Sequence, residues 1–330
     1  MKILFHLQMM VLIFCATILH ALGPIHVSGN RFVNPAGETV IFQGVSCADP
    51  DKLAKEGQWN ERIFAEASAW GADIIRLPIH PAAWRERTPE KYVELIDQAV
   101  AWAKAHNLYV ILDWHSIGNL QDRRFQHAMY ETSLDETVGF WRTMAARYKG
   151  EPAVAFYELF NEPTVTGDMQ GMTFDQWHAI LNDLINDIRT IDPDKVILVA
   201  GFNWAYDLTD FKGRFFEQPN IAYVSHPYPM KRKEPWEGQW EEDWGFVADH
   251  RPVMLTEIGF CLAGEKGEHV PVISTEAYGH AITAYCEKKG ISWQAWVFDP
   301  DWAPMMFSDW DFTPTTQGRF FKNYWRNKKP

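Results

Sequence analysis

The sequence predicts an α/β fold, a (β/α)8 barrel in which eight parallel strands alternate with helices. Eight strand-like apolar runs start roughly 26 to 45 residues apart along the 330-residue chain. The runs are continuously apolar rather than alternating, which is typical of parallel strands buried on both faces. Helix signals separate them, and about 300 residues suit one barrel of this kind. The runs are residues 40–46, 73–79, 108–114, 153–160, 195–200, 221–226, 252–258 and 291–297.

The amino end of the chain has the pattern of a targeting segment. Lys2 precedes an apolar run that is too short to cross a bilayer comfortably, and His6 and His20 interrupt it. A membrane anchor is the alternative interpretation. We expect residues 1–23 to be a cleaved signal peptide and residues 24–330 to form one barrel domain. The protein is then secreted, extracellular or periplasmic, with no stable membrane association after cleavage.

A short β-hairpin is predicted before the first barrel run, over residues 25–42. Gly29-Asn30 and a second turn signal at Gly37 bound its strands. Eight buried strands separated by helices fit either a closed barrel or an open doubly wound sheet. No Gly-x-Gly-x-x-Gly follows the first run, so a nucleotide-binding sheet lacks support. The strand count favours the barrel.

Helix signals lie between the strand runs. Thr88-Pro89 begins a segment with an apolar stripe at helical spacing. Two capping-box pairs and two C-cap glycines mark further helix ends. Residues 202–220 predict only a weak helix. The pairs are Ser133 with Glu136 and Thr173 with Gln176, and the glycines are Gly150 and Gly290.

The charge and aromatic content indicate which class of ligand the protein binds. The net charge is −12, and no Lys/Arg cluster is interleaved with aromatic residues, which argues against binding to nucleic acid. The basic residues 231–233 predict a solvated loop. Sixteen tryptophans are a high load, and flat aromatic surfaces suit the C–H faces of sugar rings.

The cysteines predict neither a disulfide framework nor a zinc site. After removal of the signal peptide Cys47, Cys261 and Cys286 remain, an odd number without Cys-x-x-Cys spacing. One disulfide between Cys47 and Cys261 and three buried thiols are both compatible with the sequence.

Polar side chains stand at the carboxyl ends of the predicted strands, which in such barrels carry the reactive groups. Glu162 follows strand four and Glu257 ends strand seven, so the two face each other across the barrel. Two carboxyl groups about 5–5.5 Å apart can perform retaining glycoside hydrolysis, as acid/base and nucleophile. An adjacent arginine would hold the nucleophile ionised. The polar ends are Arg76, Asp113, His115, Asn161, Glu162, His226, Tyr228, Glu257 and Asp299.

Six segments, in order and at suitable spacing, resemble the sequence signature of glycoside hydrolase family 5, in clan A. They are RLPI, DWH, FYELFNEP, SHPYP, TEIGF and QAW. The resemblance covers the whole chain after the predicted signal peptide. It implies a cellulase-type enzyme on a (β/α)8 barrel, and all eight family positions carry the expected residue type.

The resemblance also implies a role for each position. Glu162 would be the acid/base and Glu257 the nucleophile. Asn161 would bind the 2-hydroxyl of the cleaved sugar. Arg76 and Tyr228 would contact the nucleophile. His115 and His226 would line the same subsite, with His226 near the acid/base. Trp296 would form the floor under the sugar.

The sequence therefore predicts a secreted retaining endo-β-1,4-glucanase acting on cellulose-type or soluble β-glucan chains. Trp204 and Trp302 follow strand ends and are candidate outer platforms for sugar rings. The mechanism requires no cofactor and no metal. We expect a monomer whose partner is a polysaccharide or oligosaccharide.

Other functions are also compatible with the sequence. An endo-β-1,4-mannanase or a xyloglucanase would use the same mechanism, because glucan and mannan differ by one hydroxyl orientation. A metal-dependent barrel hydrolase and a non-catalytic sugar-binding barrel are more remote. Arg76 could also form a structural ion pair with Asp73, and the two histidines could be ordinary core residues.

Overall fold

The computed structural model describes residues 22–328. The predicted signal peptide, apart from its last two residues, lies outside this range. Within it, eight parallel strands form a closed barrel, because the eighth strand pairs with the first. The predicted fold class is confirmed. In chain order the barrel strands are Gln43–Cys47, Ile74–Ile79, Tyr109–Trp114, Val154–Glu158, Val196–Ala200, Ile221–Val224, Val253–Ile258 and Ser292–Phe298.

Six of the predicted runs contain their strand completely, and the other two strands end one residue later, at Cys47 and Phe298. Nearly all strand residues are buried, as continuously apolar runs predict. The helices pack outside the barrel wall. They are Pro50–Lys55, Arg62–Trp70, Pro81–Arg87, Pro89–Ala105, Leu134–Tyr148, Phe174–Arg189, Glu237–Asp243, Glu276–Lys289 and Thr316–Lys328.

The predicted amino-terminal hairpin is a three-stranded antiparallel sheet. Its strands are His26–Ser28, Arg31–Val33 and Thr39–Val40, and the second turn signal returns the chain to form the third strand. Phe32 packs against Phe156 with ring centroids 5.1 Å apart, near the amino ends of the barrel strands. The sheet therefore covers the end of the barrel opposite the strand carboxyl ends.

Helix capping follows the sequence only in part. Thr173 and Gln176 form the complete reciprocal box, whereas Ser133 accepts from the amide of Glu136 without the return bond. The Glu136 carboxylate instead accepts from Arg85 at 2.7 Å. Gly290 adopts the left-handed conformation that the predicted C-cap requires.

The weak helix predicted over residues 202–220 is wrong. Three consecutive residues, Asn203, Trp204 and Ala205, have left-handed φ angles of 60°, 55° and 57°. This turn cannot belong to a right-handed helix, and only a short 3-10 turn at Thr209–Phe211 follows it.

Cys47, Cys261 and Cys286 are free and buried, so of the two alternatives the structure has the three thiols. None of the helices among residues 22–328 is long and apolar enough to cross a membrane.

Candidate active site

A cleft of about 870 Å³ opens at the carboxyl ends of the barrel strands. Eight of the ten residues predicted for the site line it. The other two, Arg76 and His226, are fully buried and contact the lining carboxyl groups. The structure therefore brings all ten together. The eight lining residues are His115, Asn161, Glu162, Trp204, Tyr228, Glu257, Trp296 and Trp302.

Glu257 is the penultimate residue of the seventh strand, and both of its carboxyl oxygens are hydrogen-bonded. Arg76 donates from Nη1 to Oε1 at 3.0 Å, and the Tyr228 hydroxyl donates to Oε2 at 2.7 Å. Burial raises the pKa of Glu257, while His226, Arg76 and the Tyr228 hydrogen bond act in the opposite direction. Two donors on a buried carboxylate stabilise its anionic form, which a nucleophile needs.

Arg76 organises the acidic groups under the cleft. Its guanidinium donates to Glu158 from Nε at 2.7 Å and from Nη2 at 3.1 Å, and to Asn161 Oδ1 at 2.7 Å. It also pairs with Asp113 at 2.9 Å. The ion pairs of Arg76 with Asp113, Glu158 and Glu257 place its charge within the site. A guanidinium suits this position because its five donors are fixed in one plane.

Glu158 is a site residue that the sequence analysis missed. It is fully buried at the end of the fourth strand, four residues before Glu162. In the sequence it lies within the apolar run 153–160. The signal that could have found it is a charged residue within a strand buried on both faces, which needs a buried partner.

Glu162 follows the fourth strand and contacts His226. The distance between His226 Nδ1 and Glu162 Oε1 is 2.9 Å. Burial raises the pKa of Glu162 to about 7, against the opposing charges of Lys231 and Arg76. Burial lowers the pKa of His226 to about 4, so this ring is neutral at pH 7. A carboxyl group with such a pKa can hold a proton near neutral pH and release it in a reaction.

Glu162 and Glu257 lie close enough to act on one bond. One carboxyl oxygen of each and a ring nitrogen of His226 lie within 4.8 Å of one another. Among residues 22–328 these three side chains are also the candidate group for a metal ion. Arg76 and Tyr228 already occupy both oxygens of Glu257, and the Arg76 charge opposes a cation there. The arrangement therefore fits a hydrogen-bonded pair of carboxyl groups better than a metal centre.

His115 and Trp296 form one wall of the cleft. Their rings are parallel within 4°, with centroids 5.3 Å apart, and Trp302 stacks against Trp296 at 5.9 Å. Burial lowers the pKa of His115 well below its usual value, so the ring is neutral, and its Nδ1 lies 2.6 Å from Asp113 Oδ2, an oxygen that also pairs with Arg76. The tautomer that donates from Nδ1 to this oxygen leaves Nε2 as a hydrogen-bond acceptor.

His80 lies on the same wall, and the sequence analysis missed it. It directly follows the second strand, lines the cleft and meets Trp302 with ring centroids 5.3 Å apart. Its Nδ1 lies 2.8 Å from Asp49 Oδ2. The signal that could have found it is a histidine directly after a predicted strand, the same signal that indicates His115 and His226.

Trp204 lines the opposite wall from within the left-handed turn that follows the fifth strand, three barrel positions from the strand of Trp296. Its Nε1 donates to Gln126 Oε1 at 2.6 Å. The Lys231 ammonium sits 4.7 Å from the Trp204 ring centroid and donates to the Asn203 carbonyl at 2.9 Å. The predicted solvated loop at 231–233 is therefore wrong for Lys231, which lines the cleft beside Glu162.

Asn161 lines the cleft, and within residues 22–328 its buried side-chain donor has no partner. Its Oδ1 accepts from Arg76, whereas its Nδ2 is buried and has no hydrogen-bond partner among the residues that the structure describes. A buried amide donor without a partner is costly unless a ligand supplies the acceptor.

Comparison with known proteins is consistent with this geometry. The sequence profile of a family described as Cellulase (glycosyl hydrolase family 5) matches residues 33–301. Among curated proteins, Endoglucanase A of Butyrivibrio fibrisolvens is 28% identical, over 62% of this chain and 46% of the relative. Endoglucanase N of Pectobacterium atrosepticum is 26% identical, over 85% and 58%. The chain spans about half the length of these relatives.

Solved structures agree with the profile. The native β-glucanase SdGluc5_26A from Saccharophagus degradans superimposes with a TM-score of 0.91 and 46% identity, over 93% of this chain and 94% of that one. The same β-glucanase in complex with cellotetraose gives a TM-score of 0.91 and 45% identity, over the same shares of the two chains.

Proposed function

Because this chain belongs to glycosyl hydrolase family 5, the cellulase family, we propose that it is a secreted retaining endo-β-1,4-glucanase. Its substrates are cellulose-type or soluble β-glucan chains. The observation that carries the proposal is the pair Glu162 and Glu257, buried at the base of an open cleft with carboxyl oxygens within 4.8 Å. Retaining glycosidases have carboxyl groups about 5–5.5 Å apart, whereas inverting enzymes need about 6.5–9.5 Å to admit water between them.

The first chemical step transfers the sugar to the protein. A Glu257 oxygen forms a bond to the anomeric carbon while the bond to the leaving oxygen breaks, and Glu162 gives that oxygen its proton. Arg76 and Tyr228 stabilise the Glu257 anion before the attack. The neutral ester that forms removes one negative charge beside Glu162, which lowers the pKa of Glu162 for the next step.

The second step releases the sugar with its configuration retained. Glu162, now a carboxylate, takes a proton from water as the water oxygen bonds to the anomeric carbon. The bond from that carbon to Glu257 breaks, and both carboxyl groups return to their starting states. In both steps the Nδ2 of Asn161 supplies a donor for the 2-hydroxyl of the sugar.

The substrate class is supported by the cleft and by the relative. Trp296 and Trp302 on one side and Trp204 on the other offer flat apolar surfaces on both sides of the carboxyl pair. A 45% identical β-glucanase has been solved with cellotetraose. A chain that extends across both walls and is cut between them corresponds to endo action.

Secretion is the part of the proposal that rests on the sequence alone, on the apolar run within residues 1–23. Expression of the full chain, followed by amino-terminal sequencing of the extracellular or periplasmic protein, tests it. A mature start near Gly23 is expected, and intact chain retained in the membrane fraction would favour the anchor.

The function is tested by new reducing ends released from a panel of polysaccharides, by wild type and Glu257→Gln in parallel. The panel contains carboxymethylcellulose, mixed-linkage β-glucan, glucomannan, mannan, xyloglucan and xylan. We expect the wild type to release sugars most rapidly from the glucans and the variant to lose at least about 10³-fold in rate while remaining folded.

Each other outcome has a distinct meaning. A mannan-led or xyloglucan-led pattern keeps the mechanism and changes the substrate. Equal activity of the two proteins contradicts the role of Glu257. An inverted anomeric product, followed by NMR during hydrolysis, contradicts the retaining mechanism.

A further inference from the structure

A continuous chain of buried hydrogen bonds connects Arg76 to Glu162 through side chains to which the mechanism above gives no role. Arg76 donates to both oxygens of Glu158. The Thr256 hydroxyl lies 2.8 Å from Glu158 Oε1, and His226 Nε2 lies 2.8 Å from the same hydroxyl oxygen. His226 Nδ1 then meets Glu162 at 2.9 Å. Glu158, Thr256 and His226 are completely buried.

The number of protons available in this chain of hydrogen bonds fixes which atom donates and which accepts at each contact. The Glu158 carboxylate, held by the Arg76 guanidinium, only accepts, so the single hydroxyl proton of Thr256 points to it. The Thr256 oxygen must therefore accept from His226, which places the imidazole proton on Nε2. A neutral imidazole has only one N–H, so its Nδ1 is an acceptor. The contact between His226 Nδ1 and Glu162 then requires a proton on Glu162.

We propose that Thr256 is a positioning residue, which with Glu158 fixes His226 as the Nε2–H tautomer and thereby keeps the proton on Glu162. This inference rests on the proposed function for its meaning, because Glu162 must be protonated to act as the acid. The opposite tautomer would donate from Nδ1 to the Glu162 carboxylate and leave Nε2 facing a hydroxyl oxygen without a proton to share.

The pKa values agree with this direction. Burial lowers the pKa of His226 to about 4 and raises that of Glu162 to about 7, so the shared proton resides on the carboxyl group. Other ionisable groups around Glu162 also influence its pKa, and the effect of the His226 tautomer adds to theirs. Those groups are Lys231, Arg76, Glu158, Glu257, Asp113, Tyr130 and Tyr228.

The variant Thr256→Val tests the proposal, because valine has nearly the same shape and cannot accept a hydrogen bond. His226 then gains nothing from an Nε2 proton, and the tautomer that donates to Glu162 becomes favoured. This stabilises the carboxylate and lowers the pKa of Glu162. We expect the alkaline limb of kcat/KM on β-glucan to move down by about one pH unit.

The matched control is Thr256→Ser, which keeps the hydroxyl and should keep the wild-type limb. A second readout uses an aryl cellobioside with a good leaving group, which needs little proton donation. The rate of Thr256→Val on that substrate should lie within about twofold of the wild-type rate. A loss of rate that is confined to poor leaving groups indicates a defect in acid catalysis. A general packing defect would lower both substrates equally.

The tautomer itself can be observed without any substrate. Imidazole ¹⁵N shifts of His226, assigned by comparison with His226→Gln, should show Nε2–H in the folded wild type and in Thr256→Ser. An Nδ1–H signal in the wild type would overturn the inference even if Thr256→Val failed to fold. So would an unchanged alkaline limb in Thr256→Val, or an equal shift in Thr256→Ser.

These measurements separate the two proposals. If the wild type lacks glycosidase activity but His226 is the Nε2–H tautomer, the proposed function fails and the positioning role stands. If the glucans are hydrolysed and the tautomer is Nδ1–H, the positioning role fails and the function stands.

Discussion

Arg76 sets the electrostatics of the site at the scale of a single residue. One guanidinium contacts Glu257, Glu158, Asp113 and Asn161, each at 3.1 Å or less. Three of these partners are carboxyl groups, and burying them without a cation would be prohibitively costly. A lysine could not replace Arg76. Its ammonium is a compact charge with three donors, too few for the four partners that the planar guanidinium contacts.

The role of Glu162 can be tested by removing its carboxyl group. Glu162→Ala should lower turnover of β-glucan by about 10²–10⁴-fold, since a poor leaving group needs the proton. An aryl cellobioside with a good leaving group should lose much less in its first step. Azide should restore turnover by attacking the glycosyl–protein ester, for which it needs no base. Rates on both substrates, with and without azide, are the measurement.

Wild type is the control for azide and should not be accelerated. Equal losses on the polymer and on the activated glycoside, with no effect of azide, would remove Glu162 from the acid/base role.

At the scale of elements, the barrel strands could be predicted because burial on both faces leaves a continuous apolar run. The same criterion concealed Glu158, whose charge is compensated by Arg76 from a strand two positions away in the barrel. Sequence reasoning has no access to such a long-range partner. Glu162 and Glu257 could be predicted because they lie at or just beyond the carboxyl ends of their strands, where packing does not explain a charge.

The turn at residues 203–205 could not be predicted for a related reason. Asn203 tolerates the left-handed conformation, but nothing local favours it at Trp204 and Ala205, where it costs about 1 kcal/mol each or more. Distant contacts hold the turn: Lys231 bonds the Asn203 carbonyl, and Gln126 holds the indole of Trp204. Strain of this kind is characteristic of functional sites, and here it presents Trp204 to the cleft.

Trp204→Ala tests whether the turn at residues 203–205 provides a sugar platform on the leaving-group side of the cleft. Kcat/KM on β-glucan should fall roughly three- to tenfold, the scale of one aromatic contact. Hydrolysis of an aryl cellobioside, which places no sugar on that side, should be nearly unchanged. The matched variant is Trp302→Ala on the other wall, which should impair both substrates. Equal effects of Trp204→Ala on both substrates would contradict the assignment.

At the scale of the whole molecule, the two ends of the barrel have different tasks. The amino-terminal sheet covers one end with Phe32 and its neighbours in an apolar cluster. The other end concentrates four buried carboxyl groups around one arginine. The apolar end stabilises the fold. At the acidic end, each buried carboxyl group that ionises without full compensation lowers the free energy of unfolding.

Glu162 makes this cost measurable through the pH dependence of stability. Its pKa is raised from 4.5 to about 7 in the folded protein, a difference of about 3 kcal/mol. The folded state therefore binds the proton more tightly than the unfolded state. Between these two pKa values stability falls as pH rises, and above pH 7 the full cost is present. Below pH 4.5 both states are protonated and the cost disappears.

Glu162→Gln should remove this cost, because glutamine stays neutral and its amide can donate to His226 Nδ1 in place of the carboxyl proton. We expect its Tm to exceed that of the wild type by several degrees at pH 8 and to match it near pH 4, measured by calorimetry across this range. Glu94→Gln, at an exposed helical position, is the control and should show no such pH-dependent gap. A constant difference at all pH values would mean that packing, rather than ionisation of Glu162, separates the two proteins.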